Sequence, residues 1–227
     1  MIKENIAIII PAAGMGRRMK SYGPKPLIKI GNSTIIKNQI NLLQTYILKP
    51  TIVLVCGFKA DVLMNETPQH ILKIENERYK QTNVVRSIGM GLRISSDISK
   101  IMVVYGDLVF NSATIKDISF KESSIITTSQ GMGDEEVGCI INKDQYVTNL
   151  MYDLPIKWGQ IAIFINKELD LLKELCWDTK NYTKFGFEII NQIMERGGKF
   201  KCIQNKDIKI VDIDSSKDIQ KAKEILL

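Results

Sequence analysis

Short apolar runs alternate with spaced apolar positions along the first half of the chain. Ile6 to Ile10, Ile52 to Val55 and Ile101 to Tyr105 are uninterrupted and rich in β-branched residues, the pattern of strands buried on both faces. Between them Ile35, Ile36, Ile40, Leu42, Leu43 and Ile47, and later Ile88, Leu92 and Ile94, recur at the spacing of one helix face. Strands alternating with amphipathic helices predict βαβ units, hence an α/β fold with a largely parallel sheet and helices on both faces.

After about residue 120 the grammar changes. Ser124 to Thr128, Val137 to Ile141, Tyr146 to Leu150 and Gln160 to Ile165 are strand-like pieces separated by Gly, Asp and Asn instead of helices, which predicts a small antiparallel or mixed β insertion. Helices are expected over 167–176 and 184–196, the second stopped by Gly197-Gly198. A strand pair over 200–203 and 208–211 then leads into a last helix from Ser216. No internal repeat or linker is visible, and 227 residues are about one and a half average domains of ~150. One domain over 1–227 is the expectation.

Composition narrows the classes of function. Hydrophobic residues at 44% and charged residues at 25% are ordinary globular values, which excludes general disorder. The 31 basic residues against 25 acidic leave +6, a balance that suits an anionic partner. The basic residues are dispersed, without the blocks interleaved with aromatics that line a nucleic-acid groove, so no nucleic-acid partner is expected. His70 is the single histidine, which leaves triads and most zinc sites without an imidazole. It lies between Thr67-Pro68-Gln69 and Ile71-Leu72 and reads as a loop or strand-edge residue. Cys56, Cys139, Cys176 and Cys202 have no short pair spacing, against both a zinc knuckle and a disulfide framework. The run from Ile6 to Ile10 is too short for a signal sequence, Glu4 interrupts its basic flank, and no window reaches the ~18 apolar residues of a membrane span. A cytoplasmic protein without membrane insertion is expected.

Four segments carry candidate chemistry. Pro11-Ala12-Ala13-Gly14-Met15-Gly16-Arg17-Arg18-Met19 follows the first strand and reaches Pro24-Lys25-Pro26-Leu27. Gly14 and Gly16 permit a tight turn whose backbone N–H groups can approach polyphosphate, and Arg17 and Lys25 add positive charge. The segment lacks the Gly-Lys-Ser/Thr ending of a Walker loop, and Met19 stands where the dinucleotide fingerprint needs its third glycine. By itself Gly14-Met15-Gly16 with Arg17 reads as a surface turn, and it is the Pro24-Lys25-Pro26-Leu27 segment that changes that reading. Thr82 to Leu92 places Asn83 and Ser87 where a loop enters a helix, and capping alone accounts for either. Val103-Val104-Tyr105-Gly106-Asp107 ends a buried strand with a carboxylate at the edge where open α/β sheets bind ligands. Ile210 to Asp218 precedes the last helix, with Ser215 and Asp218 spaced as a capping box.

The opening segment resembles the nucleotidyltransferase superfamily typified by sugar-1-phosphate nucleotidylyltransferases, whose signature is Ala-Ala-Gly-x-Gly-x-Arg followed by Pro-Lys and an apolar residue. The resemblance implies a Rossmann-like three-layer α/β/α fold with residues 1–120 binding nucleotide and 121–227 supplying the acceptor site and a second metal ligand. It further implies that Ala12, Ala13, Gly14, Met15, Gly16 and Arg17 hold the triphosphate, that Gly106 belongs to the nucleotide site, and that Lys25 bridges the α-phosphate and the incoming phosphate. Ser87-Ile88 with Gly91-Leu92 is similar to the cytosine-reading segment of methylerythritol-phosphate cytidylyltransferases. Asn83 is similar to the asparagine ahead of that helix in bacterial choline-phosphate cytidylyltransferases. Asp107 matches the superfamily's metal-binding aspartate, and Asp214 matches the first aspartate of the Ile-Asp-Ser-x-x-Asp segment of the choline-phosphate enzymes. Asp212 is the alternative, by alternation along the strand.

The middle of the chain is expected to hold the acceptor. Gly131-Met132-Gly133-Asp134-Glu135-Glu136 could present carboxylates to a cationic head group or form a solvated acidic turn. Trp158 and Trp177 could cage a quaternary ammonium or fill core. The tryptophan that the choline-phosphate enzymes place near this loop is missing, with Val137 in that region. The expected function is Mg2+-dependent transfer of CMP from CTP to a phosphorylated small molecule with release of pyrophosphate, by in-line attack that needs no protein nucleophile. The alternatives are a sugar-1-phosphate nucleotidylyltransferase using UTP, dTTP or GTP and a non-catalytic nucleotide-binding module. A homo-oligomer is left open.

Overall fold

The computed structural model describes residues 5–16, 23–128 and 136–226. In chain order the elements are β1 (Ile6–Ala12), β2 (Lys29–Ile30), β3 (Ser33–Thr34), α1 (Ile35–Tyr46), β4 (Thr51–Cys56), α2 (Ala60–Glu66), β5 (Leu72–Glu75), α3 (Val84–Ile94), β6 (Lys100–Val104) and β7 (Leu108–Phe110). The remainder comprises β8 (Ser124–Thr127), β9 (Val137–Ile141), β10 (Val147–Tyr152), β11 (Ile156–Ile165), α4 (Asn166–Trp177), α5 (Gly186–Glu195), β12 (Lys201–Ile203), β13 (Ile210–Asp212) and α6 (Ser216–Leu226).

Among the described residues the main sheet has nine strands. β1 is parallel to β4 and β6, β4 to β5, and β12 to β8, whereas β11 runs antiparallel to both β6 and β8. Six strands therefore point one way, with β11 reversed between β8 and β6. The first residues of β11 turn aside to pair with β9, and β9 with β10 completes an antiparallel annex. Two small ribbons, β2 with β3 and β7 with β13, lie outside the sheet.

Alternation along β1 explains the layers. Ile6, Ile8 and Ile10 enter one core with Ile36, Ile40 and Leu43 of α1 and Leu63 of α2. Ala7 and Ile9 enter a second core with α3, α4 and α5, through residues such as Leu92, Leu172 and Ile193. With both faces covered, each side chain of β1 loses water contact, worth roughly 1.5–3 kcal/mol per large aliphatic residue. A third cluster joins Ala222 and Ile225 of α6 to Val109 and Val211 and fastens the β7–β13 ribbon to the body.

This is the three-layer, mostly parallel mixed fold expected, with three differences in detail. β2, β3, α2, β5 and β7 are additional elements. β11 begins at Ile156 instead of Gln160, because the strand continues through a shift in its register with β8 between Trp158 and Ile161. The expected pairing of 200–203 with 208–211 does not occur, since β12 joins β8 and β13 joins β7. A turn at Asn205, whose side chain accepts from Asp207 N and whose carbonyl accepts from Ile208 N, sends the two strands to different partners. The four cysteines are buried free thiols, and exposed His70 contacts the Gln44 amide at 2.8 Å. No helix among the described residues is long and apolar enough to cross a membrane.

Candidate active site

A cavity of about 440 Å³ opens at the carboxyl ends of β1 and β6, where parallel strands leave loops free to meet a ligand. Its first wall is the turn after β1. Ala12 and Ala13 are buried, and the Ala13 carbonyl accepts from Phe58 N at 3.1 Å, which fixes the start of the turn. A side chain at Gly14 would meet no protein atom, so that backbone faces open space. Gly16 has φ +54°, and a Cβ there would lie 3.0 Å from Lys25 Cγ. Glycine is needed at Gly16 for the turn and for the stem of Lys25 lying across it. Met15 does not line the cavity. Arg17, and the acidic stretch over 131–135, lie outside the described residues.

Lys25 is held by its neighbours. Pro24 is extended, and Lys25–Leu27 form a 3-10 turn in which Leu27 N donates to the Pro24 carbonyl at 2.9 Å. With φ fixed at both flanking prolines, the backbone of Lys25 has little freedom. Its ammonium donates to Asp107 Oδ2 at 3.1 Å and to Asp214 Oδ1 at 2.5 Å. The Lys25 side chain is only 14% exposed. Burial works against its charge, but the Asp107 and Asp214 carboxylates outweigh that effect and hold its pKa above the usual lysine value.

The two carboxylates are brought together by backbone pairing. Asp107 follows Gly106, whose N–H donates to the Pro11 carbonyl at 3.1 Å. A Cβ on Gly106 would stand 2.9 Å from the Ala12 Cβ, so glycine lets the ends of β1 and β6 close up. β7 and β13 pair antiparallel with Asp212 opposite Leu108, and Ile213 N donates to the Asp107 carbonyl at 3.1 Å. Asp214 therefore arrives beside Asp107. Its own backbone N–H donates to Asp218 Oδ2 at 3.2 Å. Asp212 turns the other way, towards Lys157 Nζ at 3.5 Å and Gln160 Nε2 at 3.2 Å. Burial pushes the Asp212 carboxyl above its ordinary pKa, Lys157 opposes the shift, and Asp107 and Asp214 add to it. Lys157 also pairs with Glu136.

Asp107 and Asp214 converge on one nitrogen, so their oxygens are already directed at a single cationic point. Among the described residues no cluster of three or more Asp, Glu, His or Cys could hold a metal. Two carboxylates with phosphate and water oxygens to complete the shell suit a hard divalent cation such as Mg2+, and the donor set fits one.

At the other end of the first wall, Asn83 caps α3, its side chain accepting from Val84 N at 2.8 Å. Ser87 is buried, lines the cavity and accepts from Asn76 Nδ2 at 3.2 Å. Asn76 also donates to Thr82 Oγ1 at 3.1 Å, and its N–H bonds the Cys56 carbonyl at 2.8 Å. Sequence reading missed Asn76 together with β5, which it follows; a polar residue after a short strand was the only signal.

The second wall comprises Tyr105, Trp158, Tyr152, Phe185, Phe187, Glu136 and Gln160. Trp158 is 4% exposed and meets Tyr105 edge-on at 5.8 Å. Trp177 is elsewhere, bonding the Gly89 carbonyl under Arg93, so the two tryptophans form no cage. The rings that do gather are Tyr152, Phe187 and Phe185, with centroids 5.4 and 5.9 Å apart along the series. Burial pushes the Tyr105 phenol up, so it stays protonated. Gln160 has φ +55° at the register shift of β11, a left-handed conformation that costs a non-glycine residue of order 1 kcal/mol and turns its side chain into the cavity.

Known proteins share sequence and fold with this chain. The bifunctional protein GlmU of Buchnera aphidicola subsp. Acyrthosiphon pisum is 32% identical over 186 residues, 77% of this chain. The chain spans only 40% of that relative's length. The 2-C-methyl-D-erythritol 4-phosphate cytidylyltransferase of the same organism is 33% identical over 104 residues, 46% of this chain and 40% of that protein. Among solved structures, the CTP:phosphocholine cytidylyltransferase of Streptococcus pneumoniae superposes with a TM-score of 0.79 at 17% identity, covering 98% of this chain and 100% of that one. The inositol-1-phosphate CTP transferase of T. maritima gives 0.76 at 16% identity, over 97% of each chain. These structures share the fold. The family model of the MobA-like NTP transferase domain matches residues 8–130, more than half of the chain, and the chain belongs to that family.

Proposed function

We propose that the protein is a cytidylyltransferase that moves CMP from CTP to a phosphorylated small molecule. An oxygen of the acceptor's phosphate or phosphonate attacks the α-phosphorus in line, the new P–O bond replaces the bond to the β-phosphate oxygen, and pyrophosphate leaves. The observation that carries the reading is Lys25, aimed between Asp107 and Asp214 beneath the glycine turn. In this role the N–H groups from Ala12 to Gly16, with Arg17, receive the triphosphate. Lys25 sits between the reacting phosphates and gains most as charge shifts in the transition state. Mg2+ held by Asp107 and Asp214 would neutralise phosphate charge. Ser87, with Asn83 beside it and Gly106 at the strand end, faces the base, and the aromatic wall with Glu136 and Gln160 receives the acceptor.

Support for CTP comes from the activities of the phosphocholine, inositol phosphate and methylerythritol phosphate enzymes. One observation favours a second reading: GlmU aligns in sequence over 77% of the chain, against 46% for the methylerythritol phosphate enzyme, so a sugar-1-phosphate nucleotidyltransferase is the rival. Pyrophosphate release from CTP, UTP, dTTP, GTP and ATP, each with a panel of phosphorylated acceptors in Mg2+ and in chelator, separates the two. CTP as the best donor with a non-sugar acceptor supports the proposal. Turnover of UTP with a sugar 1-phosphate at a higher kcat/KM overturns it, and no release with any pair removes the enzymatic reading.

A further inference from the structure

We infer that Lys25 is the internal counter-ion of the Asp107–Asp214 pair, and that transfer of its ammonium from those carboxylates to the nucleotide's phosphates couples divalent-cation binding to nucleotide binding. The inference rests on the reading of Asp107 and Asp214 as the cation's ligands.

One nitrogen bonds both carboxylates, at 3.1 and 2.5 Å. A divalent cation bound to the same oxygens at ~2.1 Å would sit within a few ångströms of that ammonium, and two cations so close repel strongly. The metal and Lys25 therefore compete for one place. The ammonium lowers the repulsion between Asp107 and Asp214, beside Asp212 and its partner Lys157.

The lysine is also built to leave. Its backbone is pinned between Pro24 and Pro26, so movement is confined to the side chain, a flexible stem with a compact ammonium. That stem lies across Gly16, where a Cβ would meet Lys25 Cγ at 3.0 Å. A rotation about the stem carries the ammonium along the same turn, which lines the cavity. Phosphate oxygens bound there give the displaced charge a new partner, which it otherwise lacks. Metal alone must expel the ammonium from its partners, whereas metal arriving with a triphosphate exchanges one set of ion pairs for another. The two ligands then favour each other by a common factor.

Mn2+ binding to the full chain, with free Mn2+ read by electron paramagnetic resonance, tests this in wild type and Lys25→Met, each without nucleotide and with saturating CTP. Lys25→Met is expected to bind Mn2+ alone about tenfold tighter than wild type, and the factor by which CTP tightens Mn2+ binding should shrink about tenfold. A general effect of removing one positive charge would strengthen both Mn2+ affinities equally and leave that factor unchanged, which overturns the inference. Equal or weaker Mn2+ binding by Lys25→Met in the absence of CTP also overturns it. Asp107→Asn separates the two levels: if it abolishes Mn2+ binding while Lys25→Met leaves it unchanged, the coupling alone fails. If Asp107→Asn binds Mn2+ normally, the ligand reading fails and the coupling with it. Should Lys25→Met melt below the assay temperature in chelator, Lys25→Gln, neutral yet still a hydrogen-bond donor, carries the same comparison.

Discussion

The two walls of the cavity are built by different means. The wall from Pro11 to Asp107 stands at the ends of parallel strands buried on both faces, and it offers the backbone of a glycine turn and one pinned lysine. The wall from Glu136 to Phe187 belongs to the antiparallel annex and α5, and it offers rings, an ion pair at Lys157 and a residue with positive φ at Gln160. Backbone dipoles on a rigid frame suit a polyanion of fixed shape, whichever side chains surround it. Rings and paired charges suit one particular head group. The seam between the walls is the β7–β13 ribbon, which carries Asp214 across to Asp107 and leaves Asp212 facing the second wall.

The seam gives the largest expected effect. Asp107→Ala and Asp214→Ala should each lower kcat by on the order of 10³-fold, because phosphate charge in the transition state loses its counter-charge. Asp212→Ala should cost far less, since its carboxylate contacts Lys157 and Gln160 instead of Lys25. Steady-state kinetics with intact melting transitions checks the set. Equal losses at Asp212 and Asp214 would erase the distinction between the two sides of β13.

The second wall is sharpened by Gln160→Gly. Glycine relieves the left-handed strain and removes the amide from the cavity. The melting temperature should change little, since relief of the strain is set against the lost bond to Asp212, while KM for the acceptor rises about tenfold, the loss of one good hydrogen bond, and KM for CTP stays put. A change in KM for CTP alone would move Gln160 to the nucleotide side. On the first wall, Ser87→Ala should narrow the preference for CTP over UTP in kcat/KM by roughly tenfold, because a polar group facing the exocyclic amine of cytosine would be lost. If the ratio is unchanged, Ser87 serves only the Asn76 network.

What could be read from the sequence follows the same division. Strands buried on both faces write themselves as apolar runs, so β1, β4 and β6 were visible, with the glycine turn and Asp107 at their ends. β5 was not, because Leu72-Lys73-Ile74-Glu75 is a short edge strand that is only partly buried. Lys25 and Asp214 lie 189 positions apart, and no periodicity brings them together; only the likeness of short segments to a superfamily paired them. Tyr152, Phe185 and Gln160 carried no motif. Their convergence depends on how the annex and α5 pack, and the turn of Gln160 into the cavity depends on a register shift that composition does not record.

The smallest expected effect lies behind the seam, at Asp218. Its Oδ2 accepts from Ser215 N at 2.7 Å, Ser215 Oγ at 2.8 Å and Asp214 N at 3.2 Å. Burial alone would raise its pKa, but these bonds, those of Ser215 foremost, hold the charged form and bring the carboxyl below its ordinary value. A depressed folded-state pKa contributes stability that is fully present above the unfolded value of ~3.9 and is lost as pH falls through the folded value. Asp218→Asn keeps the size and one acceptor but gives up the charge, so it should cost about 1 kcal/mol at neutral pH. Urea unfolding of both proteins should show that gap constant from pH 7 to pH 5 and shrinking towards zero below the unfolded pKa. Because Asp218 also holds the Asp214 backbone, kcat should fall slightly while KM for both substrates is kept. A gap that persists undiminished in acid would mean that packing at the start of α6, and not the Asp218 charge, fixes Asp214 at the seam.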